Sequence, residues 1–218
     1  MPRPSRKTDL RLIKAAQDLM KSSSLSQLNL REVAGKAAVN LGMFHYHFKT
    51  KDQFIKAVLK DTYERFFEKF TLKVDSEKEP LEKLRQALIT LAHFSHENRH
   101  LMLSLVQDAL NREPTAKDFA KQLMAKHSQV IVGLLAQCQA QGVLQKAPLP
   151  MLMSYIMPAA TAGGMTLGIM EHVGADGAHI EQFKKLAFTE EALARRVDWV
   201  LSGLAEKKTA GKQTKKKG

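Results

Sequence analysis

Apolar residues recur along the chain at spacings of three and four, and no sustained strand-type alternation interrupts them, so the pattern predicts helices nearly throughout. A first helix is expected after Thr8, a good N-cap, with Leu12, Ile13, Ala16, Leu19 and Met20 on one face. Ser22, Ser23 and Ser24 end it. Asn29 caps a second, short helix that turns Leu30, Val33, Ala34 and Ala37 inward. The chain must then turn at Ala38 and Val39, because Asn40 is again a cap and a third short helix follows to Phe48. Thr50 caps a fourth helix, whose inner face is Phe54, Ile55, Val58, Thr62 and Phe66 and whose far end runs toward Phe70.

After the polar stretch Asp75 to Glu79, helices are expected at roughly 81–96, 98–111, 115–141, 148–173 and 187–205. Pro114, Gly142 to Pro150 and Gly174 to Gly177 break them. The expectation is an all-α chain in two parts, 1–72 and 73–205, followed by a lysine-rich tail, 206–218, too poor in apolar residues to fold. Met151 to Met170 carries no charge and approaches the length of a bilayer span. Pro158, Ser154, Thr161, Thr166 and three glycines dilute it, and Glu171 and His172 follow where basic flanks would be needed, so a helix buried between protein surfaces is preferred and no membrane partner is expected.

Charge changes this picture once it is located. The net +12 is not spread evenly: residues 1–60 hold 12 Lys/Arg against 4 Asp/Glu, residues 205–218 hold 6 against 1, and the 144 residues between hold 16 against 17. Concentration of positive charge in one small module points to a polyanion, and the absence of Trp from that module disfavours a membrane surface. With 218 residues and 44% hydrophobic content the chain can bury a real core. The opening residues lead into no apolar run of signal-peptide type, which argues for a cytoplasmic protein. The single Cys138 has no partner for a disulfide and reads as a small buried apolar residue.

The candidate chemistry lies in Leu30 to Phe54, LREVAGKAAVNLGMFHYHFKTKDQF. Two short helices joined at Ala37 to Asn40 can dock the second into the major groove of double-stranded DNA. Asn40, Leu41, Gly42 and Met43 lie at its entering end, and Gly42 leaves room for close backbone approach. His45, Tyr46 and His47 supply donors for phosphates and bases, while Phe44 and Phe48 face the core. Lys49 and Lys51 flank the cap of the fourth helix, whose free amides suit a phosphate.

This segment resembles the helix-turn-helix of the tetracycline-repressor (TetR) family, whose members read approximately LRxVA, AGVS and GTLYYHFKSKEEL where this chain has Leu30 to Ala34, Ala37 to Asn40 and Gly42 to Phe54. The resemblance implies a homodimer that binds a palindromic operator through its N-terminal modules, with C-terminal domains over 73–205 that pair and take a small effector. It also implies that Arg31 approaches a base or phosphate, that Asn40 to Met43 and His45 form the reading face, and that Tyr46, His47 and Lys51 hold phosphates. Ala38 stands where a turn glycine is usual, Met43 replaces the frequent threonine and His45 the frequent tyrosine, so no relative's operator transfers.

Family resemblance names no effector. Phe94, Met102, Leu105, Met124, Met153, Met157 and Met165 suggest an adaptable interior for an apolar or amphipathic ligand, although a methionine stripe at helical spacing is also ordinary core. His93, His96 and His100, with Glu97 adjacent, could share a helical face, but the break expected near 97 disfavours a metal site, and no metal or cofactor is assigned. Ala160, Gly164 and Gly168 recur every four residues, and Leu193, Val197, Val200, Leu201 and Leu204 offer a matching stripe. A four-helix dimer interface is expected from these, with packing inside one subunit as the alternative. No phosphate-binding glycine loop, metalloprotease motif or nucleophile with a nearby base supports an enzyme. The competing reading is a nucleoid-associated or adaptor protein that coats DNA without an effector, using the lysine tail.

Overall fold

The computed structural model describes residues 6–21, 27–111 and 114–206, except for the side chains of residues 6, 7, 114–116, 123 and 124. The serines expected to end the first helix and nearly all of the basic tail lie outside the described residues. Within them the chain forms ten helices, with one isolated bridge, Leu144 to Ala205, in place of any strand. They are α1 (Arg6–Leu19), α2 (Leu30–Lys36), α3 (Leu41–Phe48), α4 (Lys51–Asp75), α5 (Pro80–Glu97), α6 (Arg99–Leu110), α7 (Pro114–Ala140), α8 (Leu149–His172), α9 (Gly177–Ala187) and α10 (Glu190–Leu204).

The caps follow the local chemistry. Asn29 and Asn40 side chains accept from the amides of Arg31 (2.9 Å) and Gly42 (2.7 Å), and Thr50 Oγ1 accepts from the amide of Gln53 (3.2 Å). Thr8, by contrast, lies inside α1 rather than at its start. The larger correction is α9, which fills part of the interval expected to be irregular. Asp176 caps it through the amide of His179, and Lys184 and Lys185 occupy its last turn, where they complement the helix dipole.

Two cores organise the packing. Leu12, Ala16, Val33, Phe44, Phe54 and Val58 belong to one, and Leu84, Leu88, Ile131, Leu135, Ile156 and Val197 to the other. Helix α4 serves both: Phe54, Val58 and Leu59 point into the first, Tyr63, Phe66, Phe70 and Val74 into the second. Leu101 and Leu105 of α6 complete the first core from the far side, so the N-terminal module rests on α6 as well as on α4. Cys138 is fully buried, and burial pushes its thiol up to about 11, which makes it an inert packing residue.

The small face of α8 corrects the dimer expectation. Ala160, Gly164, Gly168, Val197 and Leu201 are all buried within the single chain. A Cβ on Gly164 would stand 2.7 Å from the Ser95 carbonyl carbon and oxygen, and one on Gly168 would stand 2.7 Å from Leu103 Cδ1. The small residues let α8 close onto α5 and α6 of its own subunit; the spacing gave the close approach but not the partner. Among the described residues no helix is long and apolar enough to cross a membrane.

Candidate nucleic-acid interface

Helix α3 is seated by an aromatic triad. Phe44 and Phe48 of α3 meet Phe54 of α4 with ring centroids 4.9 and 4.8 Å away and steep interplanar angles, an arrangement that fixes the rotation of α3 about its axis. With that side held inward, Gly42, His45 and Tyr46, spaced three and four apart, share the outward face. Tyr46 is 64% exposed, a large aromatic held at the surface.

The turn before α3 is built from unusual backbone. Ala38 has φ +50°, the left-handed region that favours glycine. Arg11 of α1 donates to the carbonyls of both Ala37 and Ala38, so a guanidinium clamps the turn to the first helix. Lys49, between α3 and α4, also has a positive φ, +52°.

Arg31, Leu41, His45 and Lys51 surround one open depression with Leu28 and Asn29, where the start of α2, the outer face of α3 and the first turn of α4 meet. Arg31, Gly42, His45, Tyr46 and Lys51 are exposed, while Leu41 and Met43 are half-buried. His47 is half-buried: its Nε2 is buried and its ring lies against Tyr46 and Phe48, so the imidazole is turned partly inward. The geometry therefore joins a basic rim, Arg31 and Lys51, to an exposed polar helix face.

Behind the module lies an apolar cavity of about 530 Å³. Five of the expected pocket residues line it: Phe94, Met102, Leu105, Met157 and Met165. Met153 does not; it packs partly buried against the larger core, because its face of α8 is turned to neighbouring helices. Met124 belongs to α7, and its side chain is outside the described residues. Sequence reasoning missed Phe66, Val106, Ala109 and the buried His127, which only the crossing of α4, α6 and α7 brings together. The hydroxyls of Ser95 and Thr161 donate to the carbonyls of Thr161 and Met157, so their donor capacity is spent on the backbone.

His93, His96 and His100 do not converge. A break at Asn98 separates α5 from α6. His93 Nε2 meets Glu190 at 2.9 Å, His100 Nε2 meets Glu171 at 3.1 Å, and His96 stacks on Phe188.

A basic two-helix reading head on an all-helical body defines the class of helix-turn-helix DNA-binding regulators. Residues 12–58 match the model of bacterial regulatory proteins of the tetR family. The N-terminal module is thus similar to the helix-turn-helix module of that family. It is 29% identical over 101 residues to the transcriptional repressor KstR2 of Mycolicibacterium smegmatis, a match covering 46% of this chain and 49% of that one. The alignment thus spans about half the length of that relative. The fold is similar to the ketosteroid transcriptional regulator KstR2 of Mycobacterium tuberculosis (TM-score 0.64, 15% identity, 94% of this chain and 98% of that one). A Saccharomonospora viridis protein solved in complex with choline is also similar (TM-score 0.69, 15% identity, 93% of this chain and 100% of that one).

Proposed function

We propose that the chain is a dimeric, sequence-specific transcriptional repressor that grips a palindromic operator through α2 and α3 and is released by a small apolar or amphipathic effector. The observation that carries the reading is the outward face of α3, Gly42, His45 and Tyr46, held by the Phe44–Phe48–Phe54 triad and flanked by Arg31 and Lys51. Base edges are read by the middle of this surface and phosphates are held at its rim. Operator binding implies a cytoplasmic site of action.

The cavity supports the effector half of the proposal. Its size lies in the range of small-molecule sites, about 300–1,000 Å³. Leu105 lines the cavity and also belongs to the core of the reading module, and Met102 packs against both cores. A ligand that moves these two α6 residues moves the surface on which the module sits, which gives a route from effector to DNA without contact between them. This cavity's own apolar lining sets the expectation for the effector.

The dimer is assigned to surfaces left uncovered by the single chain. Met151, Tyr155, Ile169 and Val173 fall on one exposed stripe of α8, and Trp199 lies on the outer side of α10, with the Tyr155 hydroxyl beside Gly203. A paired stripe of this kind suits a two-fold interface.

Binding to DNA measured by fluorescence anisotropy tests the reading head. Lys51→Ala should weaken operator and scrambled DNA alike, whereas His45→Ala should change the preferred base at one position by about 1–3 kcal/mol. Equal, sequence-independent losses from both variants would leave His45 only a phosphate contact and would favour the DNA-coating alternative.

A further inference from the structure

A second cavity, about 390 Å³, opens at the seam where α1 of the reading module meets α4 and α5 of the body. Its floor is apolar and built from buried residues: Met20, Phe66, Phe94 and Leu101. Its rim is cationic. Lys14 comes from the middle of α1 and Lys21 from the turn just after it, and Arg65 and Lys69 come from α4. The opposing carboxylates are Asp18 and Glu97, with Asp61 just outside. Lys21 is paired with Asp18 at 3.3 Å and Arg65 with Asp61 at 2.7 Å. Lys14 and Lys69 form no ion pair among the described residues. Two ammonium groups without an ion pair, from two different helices, thus line one groove with an apolar floor, in which cations outnumber the carboxylates Asp18 and Glu97 by four to two.

We propose that this seam is a ligand site distinct from the apolar cavity behind it, and that it takes an amphipathic anion: a carboxylate, sulfonate or phosphate ester on an aromatic or aliphatic body. The anionic group is held at the rim by Lys14 and Lys69, and the body covers Phe66, Phe94 and Met20. Phe66 and Phe94, whose ring centroids are 4.2 Å apart, form the wall between the two cavities, so a cationic-rimmed site and an uncharged apolar one are neighbours. A ligand here spans α1 and α4 and ties the reading module to the body. The inference stands on the seam's own shape and charge, so it succeeds or fails independently of the operator reading.

The test uses two fluorescent probes of similar size on the full chain: 8-anilinonaphthalene-1-sulfonate, an anion, and N-phenyl-1-naphthylamine, which is uncharged. The double variant Lys14→Gln, Lys69→Gln should bind the sulfonate about tenfold more weakly and leave the uncharged probe unchanged. Lys146→Gln with Lys185→Gln, two exposed lysines elsewhere, should alter neither. Raising NaCl on the unaltered protein should weaken only the sulfonate. Ala109→Trp, which fills the inner cavity, should remove the uncharged probe and spare the anion. Circular dichroism and cooperative melting confirm that each variant is folded, and the salt titration gives the same answer without any variant. Sulfonate binding that is indifferent to Lys14 and Lys69, that falls equally with the distant lysine pair, or that disappears with Ala109→Trp would overturn the proposal.

Discussion

Ala38 holds a left-handed backbone at the centre of the helix-turn-helix, in a position where glycine has no Cβ to strain. Ala38→Gly should therefore stabilise the chain by about 0.5–1 kcal/mol, the relief of strain being partly offset by the greater freedom of glycine in the unfolded chain. A thermal melt that is unchanged or lowered would show that Arg11, clamped to the same turn, already absorbs the strain. Gly164 and Gly168 give a second comparison. A Cβ on Gly164 meets the rigid backbone of Ser95, whereas one on Gly168 meets the mobile end of Leu103. Gly164→Ala should cost about 1–3 kcal/mol in urea denaturation, and Gly168→Ala clearly less. The reverse order would place the close contact elsewhere. Caps such as Asn29, Asn40 and Thr50 were legible because they act within three residues. The glycine spacing announced a close neighbour without saying which helix would provide it, since that depends on how α5 and α6 return across α8.

Helix α9 illustrates the limit at the next scale. Gly174 and Gly177 mark a real break, and Gly174 has φ +69°, but the helix that follows is short and has no fully buried residue, its apolar Ile180 and Phe183 being only half-buried. Charge adds to the contact of Phe183 with Phe188 in holding it. Glu171 near the end of α8 accepts from Arg99 at 2.6 and 2.9 Å and meets Lys184 of α9 at 3.1 Å and His100 at 3.1 Å. Burial alone would raise the Glu171 carboxyl, but the hydrogen bonds and charges of Arg99 and Lys184 together outweigh it and hold it at about 2. A carboxyl depressed on folding adds stability above its unfolded value, about 4.3, and loses it as the pH falls toward 2. Glu171→Gln should destabilise the chain by about 2–3 kcal/mol at pH 7, and the gap should narrow steadily below pH ~4.5. A gap that is constant from pH 7 to pH 3 would contradict this account of the clamp. Such a link joins residues 72 positions apart in sequence and leaves no local pattern to read.

At the scale of the whole molecule, the reading head was the most legible part, because its motif, caps and charge lie within one continuous segment. The cavity was half legible: methionines on α6 and α8 could be named, whereas Phe66 and His127 join them only through the crossing of helices. The residues expected at a dimer interface are buried within the single chain, so the proposed interface is moved to the exposed side of α8. Its exposed stripe now carries the prediction: Tyr155→Arg with Trp199→Arg should give a folded monomer by analytical ultracentrifugation, with cooperative operator binding lost. A double variant that remains as tight a dimer as the unaltered protein would move the interface elsewhere. The central claim, sequence-specific recognition by a two-fold pair of α3 helices, is tested most directly by selecting binding sites for the full chain from random double-stranded DNA at physiological salt. The account predicts enrichment of a palindrome whose half-sites lie about one helical turn apart, ~34–36 Å, or a multiple of it. Selection without any enriched sequence, with scrambled DNA bound as tightly as the best pool, would contradict it.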